Sequence, residues 1–149
     1  LDLTSGSPVI LRPGAVTAEM LAPYLGVTPG SGKVIGTAKS PGMKYEHYAP
    51  AAEAYAARSA ASAAEFYDKC EAAGKNPVLL FRDVYADALG DRARISLGGS
   101  VDDFMHGVYS ALRAAEKEYG VIIVEMLDGD GRAASVMNRV MKAVGGKTI

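Results

Sequence analysis

Pro77-Val78-Leu79-Leu80-Phe81 decides the fold. The run is apolar from end to end, with no polar residue to face solvent. That is the signature of a central strand covered on both faces. Val121-Ile122-Ile123-Val124 reads the same way. Working outward, helical and extended patterns alternate. Glu53 to Ala57 is a weaker strand, followed by an alanine-rich helix from Ser59 to Ala73. That helix places Ala63, Phe66, Tyr67 and Cys70 on one face, with Gly74 as its stop signal. Ala93, Ile95 and Leu97 alternate with polar residues, as in a less buried strand. Ser100 caps a long helix with an apolar face of Val101, Phe104, Met105, Val108, Leu112, Ala115 and Tyr119, and Asp103 completes an approximate capping box. A last helix is expected from about Gly131 to Val144. Strands alternating with helices, two of the strands fully apolar, predict a parallel α/β sandwich over residues 51–149.

Two other zones precede it. In residues 1–26, Val9-Ile10-Leu11 is a short strand closed by Pro13-Gly14, and Thr17 caps a helix through Leu25. One strand, a turn and one helix cannot close a core, so this zone is expected to be the tail of a domain whose beginning is missing. Residues 27–50 are rich in Gly, Pro, Ser, Thr and Lys and show no apolar period. A connection of that length is a linker or a functional loop.

Composition bounds the rest. The 149 residues are 49% hydrophobic and 22% charged, and the net charge of -1 argues against general nucleic-acid binding. Cys70 is the only cysteine, so no internal disulfide can form, as fits a reducing, cytoplasmic compartment. No apolar run approaches a membrane span.

Several motifs invite chemistry. Gly30-Ser31-Gly32-Lys33 lacks the first glycine and the hydroxyl residue of a phosphate loop, since Val27 and Val34 stand at those places. Asp128-Gly129-Asp130-Gly131 resembles part of a calcium loop, but methionines occupy its first and twelfth positions. It reads as a turn beyond a strand end, where open α/β sheets bind ligands. Gly98-Gly99-Ser100 precedes a helix whose positive end Asp102 and Asp103 already occupy. His106 has no metal-ligand partner at helical spacing. No metal site and no catalytic group are expected. Arg12 ends a strand beside a rigid turn, either as a bidentate phosphate or carboxylate ligand or as a surface arginine. Ser40-Pro41-Gly42-Met43-Lys44-Tyr45-Glu46-His47-Tyr48-Ala49-Pro50 packs aromatic and ionisable groups into an irregular segment. Extended, it sends Tyr45 and His47 one way and Lys44, Glu46 and Tyr48 the other. It could face a ligand or strap a linker to a domain.

Three of these stretches carry a resemblance. Pro8 to Ala15 with Thr17 resembles the close of a YrdC-like catalytic domain. Ser40 to Pro50 resembles the interdomain motif SPGMKYRHYAP. Ala134 to Ala143 is similar to the final helix of the same proteins. The family is the long, two-domain form of threonylcarbamoyl-AMP synthase, formerly described as a translation factor. The resemblance implies a Rossmann-like domain at 51–149, a linker or lid at 27–50, and the tail of the catalytic domain at 1–26. It implies that the parent enzyme joins ATP, L-threonine and bicarbonate into threonylcarbamoyl-adenylate and pyrophosphate, with Mg²⁺ accompanying ATP. Partner proteins then transfer the threonylcarbamoyl group to tRNA. Arg12 would contact nucleotide phosphates, and Ser40, Pro41, Gly42, Met43, Tyr45, His47 and Tyr48 would form the lid. Most of the catalytic domain is absent, so this chain alone is expected to be inactive and to need no cofactor. Glu46 stands where the family motif has arginine. The alternative is a regulatory module binding a nucleotide or a protein near Asp83 and Asp128. The exposed front strand and tyrosines also leave open pairing with a second copy.

Overall fold

A computed structural model describes residues 1–4, 6–11, 14, 16–31, 50–129 and 131–149. The front of the chain forms β1 (Val9–Ile10), α1 (Ala18–Leu25) and β2 (Gly30–Ser31). Thr17 caps α1 by accepting from the Met20 amide at 3.4 Å. Gly26 ends it in the left-handed conformation, where a side chain would be strained, and donates its N–H to the Ala22 carbonyl at 2.9 Å. No residue of α1 is buried. β2 pairs in parallel with β1, Val9 opposite Gly30. Sequence reasoning places Gly30–Ser31 in the linker, because neither residue has strand propensity; the pairing comes from β1.

The main unit begins at residue 50. Its elements are β3 (Glu53–Ala57), α2 (Ala60–Ala72), β4 (Pro77–Phe81), a 3₁₀ turn (Asp83–Tyr85) leading into α3 (Ala86–Leu89), β5 (Arg94–Ser96), α4 (Val101–Ala115), β6 (Val121–Glu125) and α5 (Arg132–Ala143). The strands lie in the order β3-β6-β4-β5, and all three pairings are parallel. Pro77 opens β4, the position in a central strand where the missing N–H does least harm. Val78 and Leu80 of β4, with Ile122 and Val124 of β6, join a core with Phe104 and Val108 of α4 and Val140 of α5. Their neighbours Leu79, Phe81, Val121 and Ile123 join the opposite core with Ala63 and Tyr67 of α2. Every residue of both strands is buried. Two apolar layers sharing one sheet therefore explain why these runs lack alternation.

The outer side of β3 is paired as well. Ala56 bridges Thr148 in parallel, accepting from Ile149 N at 3.0 Å and donating to Lys147 O at 2.9 Å. No sequence pattern announces this bridge. At the other ends of the strands, Gly120 N donates to Asn76 O at 3.0 Å, and a Cβ on Gly120 would stand 2.5 Å from the Lys75 carbonyl oxygen. Backbone cannot yield as a side-chain tip can. Gly120→Ala should therefore cost about 1–3 kcal/mol, read as a lower urea midpoint at unchanged slope.

Candidate functional site

The helices α4 and α5 enter from the carboxyl ends of the strands, and chemistry in an open α/β sheet belongs at that end. Two residues missed by sequence reasoning stand at its centre. Glu125 closes β6 and is 2% exposed, one of two buried polar residues among those described. Arg82 follows β4. Its backbone N–H donates to Glu125 Oε2 at 2.9 Å and its Nε to Oε1 at 2.9 Å, with Nη2 on the same oxygen. The carboxylate is thus held by three donors from one residue. That pairing raises the Arg82 guanidinium above its ordinary value. The Tyr85 ring lies under the guanidinium, 5.8 Å from its carbon.

The flanking groups are arranged by the same logic. Asp83 receives Arg94 Nη1 at 3.0 Å, and its carboxyl is held low by a Ser96 hydrogen bond and then by Arg94. Ser100 Oγ accepts from the Asp103 amide at 3.1 Å, while Asp103 Oδ2 accepts from the amides of Ser100 at 3.0 Å and Gly99 at 3.2 Å. This is the capping box expected from sequence, made with aspartate. The Ser100 hydroxyl, donating to Asp103 Oδ2 at 2.7 Å, lowers the Asp103 carboxyl most, and the Ser100 and Gly99 amides add to it. A depressed folded value means that the cap stabilises at neutral pH and is lost as pH falls through that value. Arg132, at the start of α5, meets Asp102 at 3.0 Å and so ties the two helix starts together. The front of the chain reaches the same end: Thr17 Cγ2 lies 3.5 Å from where a Cβ on Gly131 would stand.

Three of the cations here have carboxylate partners: Arg82 with Glu125, Arg94 with Asp83, Arg132 with Asp102. A phosphate arriving among them would have to displace a carboxylate. Among the described residues no group of three or more His, Cys, Asp or Glu converges so as to hold a metal ion. His106 Nδ1 is 2.7 Å from the Asp102 carbonyl, a bond within its own helix that places the proton on Nδ1. Cys70 is buried, and burial pushes its thiol up, so it stays protonated as a core residue. Asp128 is exposed in the β6–α5 turn. Arg12, Ser40, Pro41, Gly42, Met43, Tyr45, His47 and Tyr48, with Glu46 and Asp130, lie outside the described residues. No helix among the described residues is long and apolar enough to cross a membrane.

The described residues thus form a parallel α/β domain with internal ion pairs at its strand ends. Comparison with known proteins identifies which one. The model of the family "Threonylcarbamoyl-AMP synthase, C-terminal domain" matches residues 16–145, and the chain belongs to that family. The threonylcarbamoyl-AMP synthase of Pyrococcus abyssi is 33% identical over 160 residues, covering 100% of this chain and 46% of the relative. That of Bacillus subtilis is 32% identical over 162 residues, covering 100% of this chain and 45% of the relative. The crystal structure of P. abyssi Sua5 complexed with L-threonine superposes with a TM-score of 0.85 at 32% identity, over 99% of this chain and 45% of that one. The chain spans about half the length of the curated relatives it matches.

Proposed function

We propose that this chain is the carboxyl-terminal part of an L-threonylcarbamoyladenylate synthase serving tRNA threonylcarbamoyladenosine modification in the cytoplasm. In this reading the parent enzyme converts ATP, L-threonine and bicarbonate into threonylcarbamoyl-AMP and pyrophosphate. Residues 51–149 brace the linker, and the linker covers the site as a lid. The observation that carries the reading is the match along essentially the whole chain to a synthase solved with L-threonine. The front segment agrees with it. Leu1, Leu3, Val16, Met20, Tyr24 and Val27 are more than half exposed, and α1 buries nothing. Apolar surface concentrated in one short segment suits a piece that packs against another part of a longer protein. The ion-paired strand ends suit a domain that supplies no chemistry of its own.

A lid has a physical purpose here. A carbamoyl-adenylate is open to hydrolysis, and closure keeps water from it. Arg12 contacts the nucleotide phosphates, and Ser40, Pro41, Gly42, Met43, Tyr45, His47 and Tyr48 belong to the lid. In the intact synthase, deleting residues 40–50 should lower threonylcarbamoyl-AMP formation at least tenfold, roughly the loss of one positioning or water-excluding contribution. Adenylate formation is followed by pyrophosphate release with ATP, threonine and bicarbonate present. Unchanged turnover would remove the lid from the mechanism. The 149-residue chain by itself should release no pyrophosphate.

A further inference from the structure

The linker ends at Pro50, which has no N–H to donate, so Ala51 carries the first backbone donor of the main unit. That amide does not pair with the sheet. It donates to Glu116 Oε2 at 3.0 Å, across 65 residues of sequence. Glu116 Oε1 receives Arg113 Nη1 at 2.9 Å, and the Glu116 side chain is only 15% exposed. Sheet pairing starts two residues later, where the Glu53 amide meets Gly120 O at 3.2 Å.

Glu116 sits at the carboxyl end of α4, where the helix field opposes a negative charge. The helix field therefore gives no reason for a carboxylate there, whereas Arg113 in the last turn suits the field; their i,i+3 pair adds only a small helix-stabilising contribution. An exposed Ala51 amide could also be satisfied by water alone. A half-buried carboxylate, held by an arginine and aimed at the first amide beyond the linker, has a different use. We propose that Glu116 is a positioning residue for the linker: with Arg113 it fixes the point and direction at which the linker joins the sheet. The proposal rests on the lid reading, since the fixed exit sets where the lid can reach. Arg113 and the Ala51 amide also hold the Glu116 carboxyl low, so it stays charged at neutral pH.

The test has two arms. In the 149-residue chain, Glu116→Ala should speed hydrogen exchange at the Ala51 amide by roughly tenfold, the worth of one hydrogen bond to a charged group. Exchange within β3 and the thermal midpoint should stay nearly unchanged. In the intact synthase, Glu116→Ala should raise the KM for threonine several-fold with little change in kcat, and Glu116→Gln, which keeps an acceptor oxygen, should restore most of the loss. Unchanged exchange at Ala51 overturns the latch. Faster exchange with an unchanged KM overturns the positioning role. If deleting residues 40–50 slows the reaction while Glu116→Ala does not, only this inference fails; if the deletion is silent, the lid reading itself fails.

Discussion

Arg82→Ala is expected to destabilise the domain by about 3–5 kcal/mol, the cost of leaving a buried charge without its partner. Glu125 is the reason. Its side chain is 3% exposed, and Arg82 supplies two side-chain donors to it. The backbone donor at 2.9 Å survives the substitution but cannot replace a full positive charge. The carboxylate must then draw in water or pull the end of β6 outward. Urea unfolding followed by circular dichroism measures the loss, and a cost under about 1 kcal/mol would falsify the account. Replacing both partners by apolar residues, Arg82→Met with Glu125→Leu, removes the unpaired charge and should recover most of the stability. Comparing the double variant with Arg82→Met alone separates charge pairing from packing, because a mere packing defect would be worsened by adding Glu125→Leu.

Gly98→Ala is expected to cost about 2–3 kcal/mol, from backbone strain of ~1–2 kcal/mol and a weakened cap of ~1 kcal/mol. Gly98 has φ +75°, and its Cβ would stand 2.3 Å from Asp103 Cβ and 2.8 Å from Cγ. The near atom is the root of the side chain, so rotation of the carboxylate cannot relieve the overlap. Either the turn opens or α4 shifts its first residues, and both loosen the Asp103 bonds to Ser100 and Gly99. Asp103→Ala alone should lower stability by loss of the N3 half of the capping box. It should fail to rescue Gly98→Ala, because alanine keeps the Cβ. Rescue in the double variant would show that the carboxylate, not the Cβ, makes the conflict. Because the two residues touch, their costs should not add.

What could be read from the sequence follows from the range of the interactions. Pro77 to Phe81 and Val121 to Val124 declare themselves as central strands because burial on both faces erases polar positions. Ser59 and Ser100 declare helix starts because capping is settled within four residues. The order β3-β6-β4-β5 is different. Both apolar runs read as central, and nothing local says that β6 inserts between β3 and β4. The Arg82–Glu125 pair is hidden for the same reason. A glutamate closing an apolar run looks like a strand end meeting water, and its partner is 43 residues away. The one available hint was position, since Glu125 sits at the carboxyl end of a buried strand. The resemblance carried by Pro8 to Ala15 with Thr17, Ser40 to Pro50 and Ala134 to Ala143 agrees with the family model, which matches residues 16–145, while the residues it points to as ligands lie outside the described structure.

The pairing of β3 sets an order of events during synthesis. Its first residue, Glu53, lies opposite Val121, and its other side is bridged by Thr148. Both neighbours emerge from the ribosome long after β3 itself, and so does Glu116, the partner of Ala51. Until β6 has been made, the strand next to the linker has no sheet to join. At ordinary elongation rates that interval lasts several seconds or more. During it, β3 is an unpaired strand open to other chains, and the linker gains its fixed end only when the last third of the domain arrives.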